Sequence, residues 1–348
     1  MTIREIAKQN GVAASTVSLV LNNKPGVRKE VREKIAAVLL ENGYSIRENA
    51  VKNAAHGEVK FIRYLSATHS RERNEDFFVG LLNGAEFRAH QLGFRFGLSS
   101  ATADQLPGML HTLENQQDLL GVILLASELS DNQMPHLLQF SRPIVTLDMP
   151  LPLEHYPLNG INTDNSGGIF AAVERLYALG HRTIGFLRAE TEIGGLYGRY
   201  VAFCNAMDRL GLTVQPQHIL RIDPQYEVAV RQMGEHLKSL SRLPTAFVAA
   251  NDIIASGCLR ALQKAGFQVP EDVSIVGFDD GAMSTFLCPS LTTLRINRAR
   301  LGELAVERLA ALNAKPDDVT IKSTISVSLV ERESSRRLTL EEQEREAN

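Results

Sequence analysis

The sequence lacks several features that would assign it to other classes of protein. It contains only three cysteines, Cys204, Cys258 and Cys288, and they are odd in number and have no metal-type spacing. We interpret them as small buried hydrophobes in a reduced compartment. No apolar run approaches the roughly 18 residues of a membrane-spanning helix, and the first residues form no apolar signal segment. We therefore predict a cytoplasmic protein.

Motifs of the common enzyme classes are also missing. The chain has no glycine-rich phosphate loop, no GxSxG elbow, no HExxH sequence and no clustered set of His and Cys ligands. Asp279 and Asp280 form an acidic pair that acid–base catalysis could use, but no other catalytic group converges on it. We therefore predict that the protein is not an enzyme and that it holds no metal ion or other cofactor.

The composition is that of a globular protein, with 44% hydrophobic and 22% charged residues. A length of 348 residues predicts two or three domains. Residues 1–60 hold ten Lys or Arg against six Glu, about +4, which leaves −7 for the rest of a chain whose net charge is −3. A small basic head on an acidic body is typical of phosphate binding, so we expect salt-dependent binding of nucleic acid.

The first 27 residues predict two short helices joined by a tight turn. Thr2 and Glu5 have the spacing of a capping box at the start of the first helix, and Asn10-Gly11 provides its stop. A second helix is predicted from about Ala14 to Asn22 and a third from about Lys29 to Asn42. Two helices joined by a short turn containing Gly form the helix-turn-helix pattern, for which an ordinary amphipathic hairpin is the alternative.

From Lys60 onward, apolar runs rich in Val, Ile and Leu alternate with helical stretches. The predicted strands are 61–65, 96–99, 122–125, 144–148, 184–187, 247–250 and 275–279, and the predicted helices are 78–92, 168–179, 199–210, 228–240, 254–265 and 300–312. Continuous apolar strands indicate parallel sheets covered by helices on both faces. Because the region is about twice as long as one such domain, we predict two lobes with a ligand cleft at the carboxyl ends of the strands.

The head and the body both carry motifs of one known family. The second helix contains Thr16-Val17-Ser18, and the body contains the stretches 180–184, 250–252, 269–280 and 289–293. With these motifs the chain resembles the lactose-repressor (LacI/GalR) family of transcriptional regulators from residue 1 to about 333. The resemblance implies a small all-α helix-turn-helix head and an α/β two-lobed effector domain like that of periplasmic binding proteins, made of two doubly wound parallel sheets.

These observations divide the chain into four parts. We predict a DNA-binding head at 1–44, a linker or hinge at 45–58, an effector-binding and dimerisation domain at 59–333, and a charged, flexible tail at 334–348. The N-lobe is predicted at about 59–159 plus 294–320, and the C-lobe at about 160–293 plus 321–333. Only Leu338 and Leu340 could form an apolar seam in the tail, so we expect no tetramerising helix.

The resemblance assigns DNA contacts to the head and to the linker. It implies base-edge contacts at the start of the second helix and at Leu19, and phosphate contacts from hydroxyl, amide and guanidinium groups. Asn53 stands where the family has a leucine that wedges into the minor groove. Local capping of the helix is the alternative role for Thr16 and Ser18. The assigned residues are Thr2, Ala14, Ser15, Thr16, Ser18, Leu19, Asn22, Arg28 and Asn53.

The resemblance also assigns a ligand site in the cleft. Asp279, Asp148 and Asn251 each lie at the end of a predicted strand, and the guanidinium of Arg199 has fixed donors that suit bidentate contacts. Aromatic residues would supply apolar walls. Core packing, helix capping and an interlobe ion pair are the alternative roles of these side chains. The assigned residues are Phe77, Phe78, Asp148, Arg199, Tyr226, Asn251 and Asp279.

We therefore predict a ligand-responsive transcription regulator, a repressor of a carbohydrate-use operon, that binds a near-palindromic double-stranded operator as a homodimer. The predicted effector is a sugar or a sugar derivative. Alternatives within the same fold are a nucleobase or nucleoside effector and a corepressor that tightens operator binding. A plain sugar-binding protein is the alternative outside this class. It predicts a signal peptide and no DNA-binding head, whereas the sequence shows no signal segment and does show the helix-turn-helix pattern.

Overall fold

The computed structural model describes residues 2–21, 26–42, 57–66, 75–191, 193–240 and 242–347. These residues divide into two compact units, of which the first contains three short helices and the second contains all the described strands. The helices are α1 (Ile3–Gln9), α2 (Ala14–Leu21), α3 (Lys29–Glu41), α4 (Glu75–Gln91), α5 (Leu106–Glu114), α6 (Met134–Gln139), α7 (Asn165–Ala178), α8 (Gly195–Arg209), α9 (Tyr226–Ser239), α10 (Asp252–Lys264), α11 (Met283–Phe286), α12 (Arg298–Ala314) and α13 (Leu340–Ala347). The strands are β1 (Glu58–Leu65), β2 (Arg95–Thr102), β3 (Leu119–Leu125), β4 (Ile144–Leu147), β5 (Asn159–Thr163), β6 (Ile184–Ala189), β7 (Ile219–Ile222), β8 (Ala246–Ala249), β9 (Ser274–Val276), β10 (Thr293–Arg295), β11 (Lys322–Ile325) and β12 (Ser328–Val330).

Helices α1, α2 and α3 pack around a small apolar core. The predicted capping box is present: the Thr2 backbone N–H donates to Glu5 Oε2 over 2.8 Å, and the Glu5 N–H donates to Thr2 Oγ1 over 3.4 Å. Gly11 has a φ of +64°, which allows the chain to leave α1 and enter the turn. The helical spacing of the apolar residues explains which side chains the core buries. They are Ile6, Ala7, Val17, Val20, Ile35 and Leu39.

The N-lobe is built on a six-stranded sheet in the order β11-β5-β4-β3-β1-β2, and all five strand pairs are parallel. Apolar side chains fill β3 and β4, which lie in the middle of this sheet, so both faces need a cover of helices. Helix α12 packs against β3, β4 and β5. The strand order steps outward in both directions from β1 and β3, which creates a topological switch point at their carboxyl ends.

The C-lobe is built on a four-stranded parallel sheet in the order β7-β6-β8-β9. Helices α7 and α8 form one contacting pair and helices α9 and α10 form another, and both pairs touch the sheet. Strands β10 and β12 form a separate antiparallel pair. The prediction of two doubly wound parallel sheets is therefore confirmed.

The predicted boundary between the lobes is wrong at two places. Residues 160–163 and 321–325 were assigned to the C-lobe, but β5 pairs with β4 and β11 pairs with β5, so both strands extend the N-lobe sheet. Polar residues dominate both strands, with the sequences NGINT and KSTI. Because an apolar run is the signal by which a buried strand is predicted, these polar strands carried no such signal.

The prediction of a flexible tail at 334–348 is also wrong for the described residues 334–347. Ser334 is completely buried, where its hydroxyl donates to the Ile275 carbonyl over 2.7 Å and accepts from the Thr292 N–H over 2.8 Å. The Leu338 N–H donates to the Leu179 carbonyl over 2.9 Å, and α13 follows. Backbone hydrogen bonds and one buried hydroxyl order this segment, and a hydropathy pattern shows neither.

Candidate functional site

The outer side of α2 carries most of the residues predicted to contact DNA. Ala14, Ser15 and Ser18 are exposed, while Thr16 and Leu19 are half-buried between that face and the core. Arg28 is exposed one residue before α3 begins. Thr2 lies exposed at the start of α1, where its hydroxyl already takes part in the capping box. Asn22 and Asn53 lie outside the described residues, as does most of the predicted linker.

The chemistry of this face is unusual for a surface that binds a polyanion. Helix α2 has no acidic residue in its first turn and no basic residue in its last, and its sequence ASTVSLVL contains no charged side chain at all. Short hydroxyl groups and small apolar groups allow the helix backbone to approach a duplex closely. Positive charge comes instead from residues around the helix, such as Arg28.

A cavity opens between the two lobes at the carboxyl ends of their strands, and we call it the interlobe cavity. It encloses about 800 Å³, including the open space at its mouth. The N-lobe side includes residues just beyond the ends of β3 and β4, and the C-lobe side includes Asn251, two residues beyond the end of β8. The carboxyl ends of parallel strands are where doubly wound sheets hold ligands.

Six of the seven predicted ligand residues line this cavity: Phe77, Phe78, Asp148, Arg199, Asn251 and Asp279. Tyr226 does not. It begins α9, and its backbone packs closely against Gly257 of α10. A Cβ atom on that glycine would lie only 3.0 Å from the Tyr226 carbonyl oxygen. Pro224, two residues earlier, is the residue of this loop that reaches the cavity wall. A difference of two residues between the predicted and the observed lining residue is hard to foresee in a loop. Loops vary in length, and no periodic sequence pattern shows which of their residues reaches a cavity.

Arg199 and Asp279 form a buried ion pair at the C-lobe side of the cavity, with side chains 7% and 6% exposed. Arg199 Nη1 donates to Asp279 Oδ1 over 3.3 Å and to the Ala250 carbonyl over 2.6 Å, and its Nε donates to Asn165 Oδ1 over 2.9 Å. The guanidinium carbon also lies 3.7 Å from the centre of the Phe278 ring. These contacts fix the guanidinium in one orientation, so it presents its remaining donors to the cavity at a defined place.

Asp148 faces this pair from the N-lobe. It follows β4 with a φ of +54°, a left-handed conformation that Asp and Asn tolerate better than most residues. Ser127 donates its hydroxyl to Asp148 Oδ2 over 2.6 Å. Although part of the residue faces the cavity, burial of the carboxyl raises its pKa to about 6, against the opposing effects of the Ser127 hydrogen bond and Arg199. A ligand that donates a hydrogen bond to this carboxyl therefore stabilises its ionised form.

Asp252 is a buried acidic residue that the sequence analysis did not single out. Asn251 caps α10 by accepting from the Ile254 N–H over 2.9 Å, and the neighbouring Asp252 accepts from Gly281, Ser284 and Thr293 over 2.8, 2.9 and 2.5 Å. Burial, with the charge of Asp279 second, raises the pKa of Asp252 to about 7. Asp252 thereby holds the loop that follows Asp279 and positions that residue at the cavity.

Sequence reasoning also missed part of the N-lobe wall. Arg63 near the end of β1 donates twice to Glu75, over 3.1 and 3.0 Å, and its guanidinium carbon lies 4.1 Å from the centre of the Phe78 ring. Ser127 and Glu128 lie two and three residues after β3, and the Ser66 N–H donates to Glu128 Oε2 over 2.7 Å. The rule that ligands bind beyond strand ends could have found Ser127 and Glu128.

Hydrogen bonds join the lobes beside the cavity, among them one from Arg298 Nη2, at the start of α12, to the Asp279 carbonyl. The Gly194 N–H, just before α8, donates to the Ser127 carbonyl over 2.6 Å, and the Ala282 N–H donates to Asp76 Oδ2 over 3.4 Å. Gly194 has a φ of +50°, and a Cβ atom there would lie 2.5 Å from Asp148 Oδ2. Only glycine therefore allows the C-lobe loop to approach the N-lobe this closely.

Two other kinds of site are not found in the described part of the chain. No group of three or more His, Cys, Asp or Glu side chains there is arranged to hold a metal ion. None of the described helices is both long enough and apolar enough to span a bilayer.

Comparison with known proteins identifies the family. The family model of bacterial regulatory proteins of the lacI family matches residues 2–46, and that of a periplasmic binding protein-like domain matches residues 173–335. The ribose operon repressor of Haemophilus influenzae is 30% identical over 341 residues, which cover 96% of this chain and 98% of that protein. The HTH-type transcriptional repressor PurR of the same species is 28% identical over 339 residues, covering 94% and 96%.

Solved structures agree with this assignment. A lac repressor dimer bound to operator and an anti-inducer has a TM-score of 0.68 and 26% identity, over 97% of this chain and 99% of that one. A complex of the transcriptional regulator CelR with cellobiose has a TM-score of 0.71 at 24% identity, over 96% and 100%, and shows the same fold. These relatives are transcriptional repressors and regulators, not enzymes. The chain belongs to the lacI family of bacterial regulatory proteins, and it is a DNA-binding transcriptional repressor.

Proposed function

We propose that this repressor controls a carbohydrate-use operon and that its effector is a sugar or sugar derivative bound in the interlobe cavity. The observation that carries the proposal is the set of fixed polar groups there: Asp148 on one lobe, and the Arg199–Asp279 ion pair with Asn251 on the other. Carboxylate, guanidinium and amide groups converging on one small cavity provide the donors and acceptors that a ring of hydroxyl groups needs.

A nucleobase is the second candidate, because PurR is among the relatives. Proteins hold a purine or pyrimidine between flat apolar or aromatic faces. The described lining of the cavity contains the aromatic residues Tyr64, Phe77 and Phe78, and the guanidinium of Arg63 already covers one face of Phe78 at 4.1 Å. Ionisable groups outnumber aromatic ones in this lining, which favours a polyhydroxylated ligand over a flat base.

Operator control in this proposal is a shift between two lobe arrangements. A ligand that contacts both Asp148 and the Arg199–Asp279 pair binds the closed arrangement more tightly than an open one. In this proposal the two arrangements differ in operator affinity, so a ligand that prefers one of them changes operator affinity by a coupling free energy no larger than that preference. An inducer and a corepressor would bind the same residues, but an inducer would lower operator affinity and a corepressor would raise it.

The DNA contacts follow from the exposed face of α2. We assign base edges to Ala14, Ser15 and Leu19, where methyl and methylene groups suit contact with thymine methyl groups. Thr16 and Ser18 are assigned to phosphates. The assignment is completed by Thr2, Asn22, Arg28 and Asn53, with the head at 1–44 and the linker at 45–58. The proposed location is the cytoplasm, where the operator lies. Two such heads would bind the two half-sites of a near-palindromic operator.

A homodimer is part of the proposal. Large apolar side chains are exposed on α4 and the neighbouring strand β2, with Val79, Phe87 and Leu98 exposed by 45%, 58% and 46%. Helix α11 exposes Met283 by 55% and Phe286 by 86%. Exposed apolar side chains that lie together in one patch are typical of subunit contacts. Phe87→Arg should therefore shift the sedimenting species from dimer to monomer. His136→Arg, at an exposed polar position of α6, is the control and should leave the dimer intact.

A thermal-shift screen tests the effector assignment. The full chain is heated with pentoses, hexoses and disaccharides, and in parallel with hypoxanthine, guanine and nucleosides. A ligand at about 100 times its Kd stabilises the folded protein by about 2.7 kcal/mol. We expect a sugar to raise the Tm and to change binding to a duplex that the protein itself selects from random DNA. Stabilisation by a base and by none of the sugars would contradict the proposal.

A further inference from the structure

A second cavity adjoins the interlobe cavity, and we call it the outer cavity. Ser127, Glu128 and Ile193 line both. The outer cavity encloses about 1380 Å³ against about 800 Å³ for the interlobe cavity, in each case including the open space at the mouth. It extends from Ser127 along the loops that follow β3 and β4. A ligand in the interlobe cavity that carries a substituent near Ser127 therefore has room for it here.

Apolar side chains line the outer cavity from both lobes. Pro150, Pro152 and Leu153, which follow β4, line it from the N-lobe, and Tyr197 in the first turn of α8 lines it from the C-lobe. Proline rings, a leucine and a phenol ring are stiff apolar surfaces that lose little conformational freedom when a ring packs against them. A cavity lined in this way suits a ligand with a flat or weakly polar face.

The rim of the outer cavity is polar and acidic. Asp131 Oδ1 accepts from the Tyr156 hydroxyl over 2.8 Å, which fixes that carboxylate at the rim, and Glu128 lies at the junction with the interlobe cavity. His155 Nδ1 lies 2.8 Å from the Pro152 carbonyl and donates a hydrogen bond to it, which holds the imidazole ring at the rim. The rim therefore offers mainly hydrogen-bond acceptors, which select a ligand rich in donors.

The charge of this lining excludes an anionic substituent. Glu128 and Asp131 are acidic, and the described lining contains no Lys or Arg that would balance a phosphate or carboxylate. An uncharged ring of hydroxyl groups meets both requirements, because its C–H face packs on apolar walls while its hydroxyls donate to acceptors at the rim. A second sugar ring has this chemistry.

We propose that the effector is longer than one sugar ring: a disaccharide or a glycoside whose first ring lies between Asp148 and the Arg199–Asp279 pair, and whose second ring lies in the outer cavity. This inference rests on the proposed function, since it takes the first ring to be a sugar. The outer cavity then determines specificity by ligand length. Tyr197 and His155 are the residues that distinguish an extended ligand from a compact one.

Isothermal titration of the full chain with matched pairs of sugars tests the inference. The pairs are glucose with cellobiose, glucose with maltose, and galactose with lactose. We expect one disaccharide to bind at least about tenfold more tightly than its monosaccharide, which corresponds to about 1.4 kcal/mol of added contact. Tyr197→Ala and His155→Ala should each remove most of this difference and change monosaccharide affinity by less than about twofold. His136→Ala, an exposed histidine of α6 that lines neither cavity, is the matched control.

The outcomes separate this inference from the proposed function. If monosaccharides bind as tightly as disaccharides, or if the two variants leave the disaccharide preference unchanged, the outer cavity has no role in binding and the sugar assignment stands. If no sugar of any pair binds, the sugar assignment fails and the inference fails with it. Thermal unfolding of each variant shows that a lost preference does not reflect a lost fold.

Discussion

Asp148→Asn should make the folded chain more stable at neutral pH and weaken its response to effector. Burial raises the pKa of Asp148 from 3.8 to about 6, so at neutral pH the folded state holds a carboxylate where it is disfavoured. Asn keeps the shape, can still accept from Ser127 Oγ, and tolerates the left-handed φ of +54°. The variant therefore removes the charge with little other change.

The sign of the pH dependence follows from linkage. Because the folded-state pKa lies above the unfolded one, Asp148 destabilises the fold above pH 6, and this penalty disappears as the pH falls toward 4. The difference between the two pKa values corresponds to a loss of at most about 3 kcal/mol from the free energy of unfolding at pH 7.5, and about half of that at pH 5. Since part of the residue faces solvent in the cavity, we expect a gain of about 1–3 kcal/mol, or a rise in Tm of roughly 2–6 °C at pH 7.5.

Calorimetric melting at pH 7.5 and pH 5, with and without effector, measures both effects. Asp104→Asn, on an exposed loop before α5, is the matched control and should change stability by less than about 0.5 kcal/mol. Effector binding to the parent chain should weaken below pH 6, as the carboxyl that accepts the ligand's hydrogen bonds becomes protonated. A variant that is less stable at pH 7.5, or whose gain does not shrink at pH 5, would refute the reasoning.

Three further variants test other parts of the molecule. Asp279→Asn should weaken effector binding at least about tenfold, because a neutral amide replaces the charged partner of Arg199. Operator binding in a gel-shift assay should stay intact. The exposed Asp317→Asn is the control and should change neither affinity. Thr16→Ala combined with Ser18→Ala should lower affinity for all duplexes alike at fixed salt, since phosphate contacts carry no base information, and a loss restricted to one sequence would contradict that role. Gly194→Ala should weaken effector binding by opening the lobes, whereas Gly108→Ala, in open space, should not; equal affinities would show that the close approach is not needed.

Sequence patterns predicted the parts of this fold that depend on local chemistry. The capping box of Thr2 and Glu5 and the continuous apolar runs of β3, β4 and β8 each follow from neighbouring residues, and each is present. The strands β5 and β11 are polar, and their pairing joins segments far apart in the chain. Their pairing depends on the tertiary fold, which hydropathy over a short window does not contain.

The candidate site divides in the same way. Asp148, Asn251 and Asp279 were found because each follows an apolar strand, and the ends of such strands meet at one edge of a sheet. The role of Asp252 could not be found from a pattern, because its partners lie about 30 to 40 residues later in the chain. The left-handed backbone at Asp148 and Asp279 likewise has no sequence signal, since Asp adopts other conformations more often.

The discontinuous build of both lobes has a consequence for synthesis on the ribosome. The N-lobe sheet needs β11 at its edge and α12 on its face, and the C-lobe needs Ser334 to bridge Ile275 and Thr292. Neither lobe is complete until β11 and the segment around Ser334 have been made, whereas α1, α2 and α3 form their own core from residues that precede both lobes in the chain. A ribosome-bound chain therefore presents a folded DNA-binding head before either half of the effector site can close, and both lobes finish folding almost together.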